Sequence, residues 1–314
     1  MPELPEVETV RAGLAPALTN SIVLGVQILD ARSLKRHLAG PIDFVKTITG
    51  AKILAVVRRG KFLWMPLELT EGQDQTKRYA LVGHLGMSGQ MLLRKTTDEP
   101  DKLTRVVITV ETSRHKQVEF RFIDQRIFGS LAIDELVSTR DGKAGGFTSN
   151  SAVGKWWQNM IPTSAAHIAR DPLDVNFDHE IVRAKFAKKN SGIKRVLLDQ
   201  QVLSGVGNIY ADEALWASKL HYDQPAASLS KASFETLIQE VKRILEAAVA
   251  EGGTSFDEQY KNVNGESGYF EVSLNAYGMT DRPCNRCGRA IRREAWMNRG
   301  SHFCPNCQKL RKRA

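Results

Sequence analysis

Cysteine is scarce in this 314-residue chain, and its hydrophobic runs are short. Four cysteines exclude a disulfide-dense secreted scaffold. No stretch approaches the roughly 20 apolar residues that a membrane-spanning helix needs. The opening MPELPEVETV is acidic and lacks an apolar segment, so no secretory signal is read there. Internal repeats, low-complexity tracts and the GxxxxGK pattern of a nucleotide P-loop are missing as well. What remains, with 42% hydrophobic and 25% charged residues, is a chain able to fill ordinary cores. It is expected to be a cytoplasmic, monomeric protein with no membrane partner.

The charge is unevenly spread. Residues 281–314 hold ten Arg and Lys against two acids, +8 of the net +9, while the preceding 280 residues are nearly neutral. A neutral body with a basic tail module suggests a polyanion such as nucleic acid as partner. All four cysteines lie in that module, as Cys284-x2-Cys287 and Cys304-x2-Cys307 with 16 residues between the pairs. Two CxxC knuckles at this spacing match one structural zinc ion held by four thiolates. So short a segment has too little core to hold itself together without such a staple.

The N-terminal half reads as a helix followed by strands. Val7, Val10, Leu14 and Leu18 recur at helical spacing after Pro5, a residue suited to a first helical turn. Runs rich in Val, Ile and Phe follow over 22–28, 53–67, 79–93, 105–111 and 118–133. Residues 136–170 are irregular, although Trp156 and Trp157 imply that part of them packs down. Helical patterns then cover 178–189, 193–200, 208–219 and 230–250. The fold class expected is α+β, a β-sandwich with flanking helices followed by a helical domain and a zinc-finger hairpin.

Two local features suggest anion binding. Residues 183–195 carry six basic residues and no acid. Gly205 and Gly207 precede Asn208 at a helix start, where free N–H groups and a positive dipole end would make a phosphate cradle, with Asn208 as the N-cap. A plain helical hairpin with a basic face reads equally well.

The opening Pro2-Glu3-Leu4-Pro5-Glu6 resembles that of formamidopyrimidine-DNA glycosylases. So do Arg59-Gly-Lys61, His84-Leu-Gly-Met87-Ser-Gly89, Asp124-Gln-Arg126-Ile-Phe128-Gly, Gly205-Val-Gly-Asn208-Ile-Tyr-Ala, Gly268-Tyr-Phe270 and Arg299, in the family's order. The resemblance runs from residue 2 to residue 307. It implies domains at 1–137 (catalytic β-sandwich), 138–172 (linker), 173–268 (helix–two-turn–helix) and 269–314 (zinc finger).

The resemblance also implies roles. Pro2, exposed as a secondary amine once Met1 is removed, attacks the sugar C1′; an unperturbed α-amine has a pKa of about 8, so part of it is unprotonated at neutral pH. Glu3 moves protons at the opening sugar, Lys61 serves β-elimination, and Arg299 serves δ-elimination. Met87, Arg126 and Phe128 fill the gap left by an extruded nucleotide. Lys189, Lys194 and Asn208 contact the DNA backbone, and Glu6 and Tyr269 line the lesion pocket. His84 is given no catalytic part. Three departures touch details of DNA contact: Ile127 stands where a second arginine is common, a frequent histidine is replaced near 103–105, and an insertion spans about 140–157.

The function implied is a base-excision-repair enzyme, bifunctional as glycosylase and abasic-site lyase. It acts on double-stranded DNA carrying 8-oxoguanine, formamidopyrimidines or abasic sites, in a bacterial, nucleoid-associated setting. Two alternatives are an endonuclease VIII-like enzyme for oxidised pyrimidines and a non-enzymatic zinc-ribbon DNA-binding protein. Leu4 and the long segment 251–269 favour the purine enzyme, and the intact Pro2, Glu3, Lys61 and Arg299 set disfavours the non-enzyme.

Overall fold

The computed structural model describes residues 2–70, 77–149, 153–253 and 274–310. They divide into two compact units, the first holding Pro2 and Glu6–His167, the second Glu3–Pro5, Ile168–Gly253 and residues 274–310.

In the first unit helix α1 (Leu4–Leu18) buries Val7, Val10, Leu14 and Leu18, as their spacing predicts. Strands follow as β1 (Ser21–Ile28), β2 (Lys52–Ile53), β3 (Val57–Arg59), β4 (Phe62–Glu68), β5 (Tyr79–His84), β6 (Gly89–Arg94), β7 (Thr104–Glu111), β8 (Gln117–Asp124), β9 (Ser130–Ser138) and β10 (Met160–Pro162). Helix α2 (Gly40–Ile48) interrupts them after β1. It has no counterpart in the sequence reading, because its nine residues bury only Phe44 and Ile48. Strand order is β10-β9-β5-β4-β2-β1-β7-β8-β6, with β3 on β4. The two-residue β2 joins the halves, and Leu63, Leu81 and Leu131 from one half share a core with Val106, Phe120 and Phe122 from the other. That is the expected sandwich, with the apolar run 53–67 broken into three strands and 79–93 into two.

Residues 138–149 and 153–167, expected as part of a linker, fold with this unit instead. Strand β10 pairs with β9, Arg78 stacks on Trp156 at 4.6 Å, and Phe147 exchanges backbone hydrogen bonds of 3.0 and 2.7 Å with Arg58. Arg58 is buried and donates to Glu8 at 2.8 Å, and Glu8 also receives Arg11. The insertion thus covers a buried ionic cluster that links α1 to the strand leading into Lys61.

The second unit contains α3 (His179–Ala187), α4 (Ile193–Leu197), α5 (Asn208–Ala217) and α6 (Lys231–Ala250), then β11 (Arg292–Trp296) and β12 (Arg299–Phe303). The helices agree with the expected spans to within a few residues. Their apolar faces, with Leu4 at 0% exposure, form one core around Phe186, Leu197, Tyr210, Phe234 and Leu245. β11 and β12 form a hairpin with a two-residue loop, Met297 at φ 45° and Asn298 at φ 59°. This double left-handed geometry matches the natural strand twist and makes a tight, rigid turn.

Candidate functional site

Helix α5 organises the second unit. The Glu3 carboxylate, 3% exposed, caps its start, accepting from the N–H groups of Gly207 at 2.6 Å, Ile209 at 2.9 Å and Tyr210 at 3.4 Å. A negative charge on these unsatisfied donors is favoured by the helix dipole as well as by the hydrogen bonds. A Cβ at Gly207 would lie 2.2 Å from Glu3 Cδ, and the Leu4 N–H reaches the Gly205 carbonyl at 3.0 Å. The glycines therefore admit the chain's own N-terminal segment, not a phosphate, which corrects the cradle reading. The N-cap is Gly207, not Asn208, whose side-chain amide instead donates to the Gly300 carbonyl at 3.2 Å.

Further along α5, Asp212 pairs with Lys194 at 2.6 Å and receives the His302 N–H at 2.9 Å. Lys194 also donates to Ser301 Oγ at 2.8 Å and the Gly300 carbonyl at 3.1 Å. Burial pulls its ammonium below the ordinary lysine range, opposed by Asp212. Lys194 was expected at the DNA backbone. At 0% exposure it cannot reach a phosphate in this conformation, and it holds the β12 hairpin instead. Lys189, just past α3, is exposed and lies 3.4 Å from Asp199. Arg299 opens β12 next to the tight turn and is exposed.

The four cysteine sulfurs lie within 4.8 Å of one another. A tetrahedral zinc with bonds near 2.3 Å needs sulfurs about 3.8 Å apart, so the set fits one ion. Trp216 on α5 donates its indole N–H to Cys284 Sγ at 3.4 Å, and Arg286 stacks on the same ring at 3.9 Å. Metal site and helix are thereby connected, and the zinc is structural.

In the first unit Pro2 is buried just ahead of α1, and Glu6 lies in that helix's first turn at 7% exposure. Lys61 sits in the turn between β3 and β4. Met87, in the β5–β6 turn, and Phe128, in the β8–β9 turn, are 40% and 45% exposed. Arg126 stacks over the Phe128 ring at 4.7 Å. His84 is held neutral, its pKa lowered to about 4 by burial and then by Arg36, Lys35 and Lys61. Its Nδ1 accepts the Gly86 N–H at 3.1 Å, which leaves the proton on Nε2. A neutral donor among three cations is a candidate that sequence reasoning passed over, and only the sheet brings these groups together. Tyr269 lies outside the described residues.

Three family models match the chain: the formamidopyrimidine-DNA glycosylase N-terminal domain over residues 1–131, the H2TH domain of the same enzymes over 168–259, and a zinc finger found in FPG and IleRS over 282–310. A Leifsonia xyli protein named formamidopyrimidine-DNA glycosylase is 53% identical over 312 residues, covering 99% of this chain and all of that one. The chain belongs to the formamidopyrimidine-DNA glycosylase family. A Kineococcus radiotolerans relative of the same name is 46% identical over 98% of this chain and 97% of its own. Among solved structures, a Lactococcus lactis FPG mutant in complex with Fapy-dG containing DNA superposes with a TM-score of 0.77 at 28% identity, covering 98% of this chain and 100% of that one. The Lactococcus lactis Fpg with abasic-site DNA gives 0.76 at 28% identity over 98% and 99% of the two chains. Ile127, between Arg126 and Phe128, adopts φ 55°, unusual for a β-branched residue. No helix among the described residues is long and apolar enough to cross a membrane.

Proposed function

We propose that the protein is a bifunctional DNA glycosylase and abasic-site lyase that excises oxidised purines, 8-oxoguanine and formamidopyrimidines, from double-stranded DNA. Support comes from full-length relatives of that name and from structural neighbours in complex with Fapy-dG, abasic-site and carbocyclic 8-oxo-G containing DNA. The observation that carries the reading is the Glu3 clasp, which builds the residue beside the N-terminal nitrogen into the buried start of a helix. A chain end used only as a terminus needs no such fixation. A chain end used as a nucleophile needs its position set within a fraction of an ångström.

In this mechanism the Pro2 amine, freed of Met1, attacks C1′ and displaces the base, and the resulting iminium acidifies the C2′ proton. Glu3 manages the sugar proton, Lys61 and Arg299 stabilise the departing phosphates, and Lys189 and Asn208 hold the backbone. Glu6, and Tyr269 by family likeness, face the damaged base. The target nucleotide leaves the stack, since C1′ is inaccessible within it. Met87 and Phe128, half-exposed and apolar, enter the vacated space, and Arg126 addresses the orphaned cytosine, whose O2 and N3 acceptors suit a guanidinium fork. The zinc ion, held by Cys284, Cys287, Cys304 and Cys307, keeps the hairpin of Arg299 folded. The protein works in the bacterial cytoplasm, at the nucleoid.

The test is strand nicking with borohydride trapping on duplexes bearing 8-oxoguanine, a formamidopyrimidine or an oxidised pyrimidine. The oxidised purines are expected to be cleaved first, and an uncleaved N-terminal tag should abolish trapping while duplex binding persists. Preference for the pyrimidine would favour the endonuclease VIII-like reading. Binding without trapping would leave a zinc-ribbon DNA-binding protein.

A further inference from the structure

We propose that Asp124 is a positioning residue that locks Met87, Arg126 and Phe128 into one preformed wedge, so that a single buried carboxylate sets how the protein fills the gap in the duplex. This rests on the reading above that these three side chains enter the DNA.

Asp124 ends β8 at 0% exposure. Its Oδ1 accepts the Ser88 hydroxyl at 2.5 Å and the Arg126 N–H at 3.1 Å, while Oδ2 accepts the Gly129 N–H at 2.7 Å. Each of these donors is a neighbour of a wedge residue or belongs to one: Ser88 follows Met87, Arg126 is in the wedge, and Gly129 follows Phe128. The Ser88 oxygen also accepts the Arg126 N–H, at 3.3 Å, which closes the link between the two turns. Hydrogen bonds to an ionised carboxylate are the stronger kind, and burial keeps water from competing for them.

The two turns also meet backbone to backbone. Gly86 has φ 64°, and a Cβ there would fall 2.5 Å from the backbone atoms Phe128 C and Gly129 N. No side chain fits between the turns, so a displacement of one is transmitted to the other. Ile127, between Arg126 and Phe128, sits in the left-handed region that a β-branched residue resists. Such a conformation persists only when its surroundings over-determine it. Here the flanking N–H groups are fixed by Asp124, and the Ile127 carbonyl is held by Lys35 Nζ at 2.6 Å. The resulting turn presents Arg126 stacked on Phe128 before any DNA arrives. Ordering the wedge in advance lowers the conformational entropy that binding must remove.

The experiment compares Asp124→Asn and Ser88→Ala with the unaltered protein and with Arg126→Ala. Single-turnover excision is measured from 8-oxoguanine paired with cytosine and with adenine, alongside borohydride trapping on an abasic site and fluorescence of 2-aminopurine beside the lesion. An amide offers one acceptor atom where the carboxylate offers two, so Asp124→Asn can keep the Ser88 and Arg126 contacts or the Gly129 contact, but not all three. Excision opposite cytosine should fall by roughly tenfold or more, the cytosine-to-adenine ratio should collapse toward one, and trapping should fall much less. The 2-aminopurine signal should rise as stacking around the gap loosens, and Ser88→Ala should move every readout the same way by less. An equal fall on all substrates, or an unchanged ratio, would overturn the inference by making Asp124 a fold residue only. Should Asp124→Asn fail to fold, an unchanged ratio in Ser88→Ala decides against it. If Arg126→Ala alters the ratio and Asp124→Asn does not, this inference fails while the wedge reading stands. If Arg126→Ala leaves the ratio intact, the wedge reading itself fails.

Discussion

Lys194 and Asp212 form an ion pair of 2.6 Å in which neither side chain reaches solvent. The pair joins α4 to α5 and, through Gly300, Ser301 and His302, reaches the hairpin that carries Arg299. Removing one partner strands a buried charge, a far larger penalty than breaking a surface pair. Lys194→Ala is therefore expected to destabilise the helical unit by about 3–5 kcal/mol, read from its urea midpoint. Combined with Asp212→Ala the cost should be less than the sum. A destabilisation below about 1 kcal/mol would instead mark the pair as behaving like an exposed one.

Gly207→Ala probes the Glu3 clasp. The added methyl group overlaps the Glu3 carboxyl carbon, so the carboxylate must abandon at least part of its N–H cluster. Shifts of an ångström at a reacting group cost up to about 100-fold. Single-turnover excision should drop by that order while affinity for undamaged duplex changes little. Full excision by the variant would separate the clasp from the chemistry.

Cys287→Ser addresses the metal. Loss of zinc should unfold the hairpin, release Arg299 and weaken DNA binding. The salt dependence of binding should become shallower by about 0.9 in logarithmic slope for each phosphate that the protein no longer neutralises. The first unit has its own core and should keep its unfolding transition. Unaltered affinity in metal-free protein would contradict this role.

His84 gives the fold an acid-sensitive component. Its folded pKa of about 4 lies below the usual 6.5 because burial disfavours the cation. Between these values the unfolded chain binds a proton that the folded one does not. The stabilisation is thus complete above about pH 6.5 and is lost as pH falls toward 4. His84→Gln should flatten this limb of the stability profile, measured as urea midpoints at pH 7 and near pH 4.5. Parallel profiles for the two proteins would rule out the assignment.

Much of this protein is legible along the chain. Cysteine spacing specifies a four-thiolate zinc site, because each CxxC knuckle sets the geometry of its own two sulfurs locally. Val7, Val10, Leu14 and Leu18 declare a buried helix face through their period, and the order of short motifs places the chain in its family. The boundaries of helices in the second unit follow from the same local signals.

Other features have no trace in any local pattern. Gly207 reads as a phosphate-binding glycine until Glu3, 204 residues away, is found against it. Lys194 reads as a surface cation in a basic run until Asp212 and the hairpin close over it. Residues 138–167 read as a linker until Phe147 meets the backbone of Arg58, a partner far back along the chain. Asp124 reads as one acid among 35 until the sheet sets Ser88 beside it. Periodicity records which face of an element is buried, since burial repeats with the backbone. Which donor meets which buried charge depends on chain segments distant in sequence, and that pairing exists only once the backbone has folded.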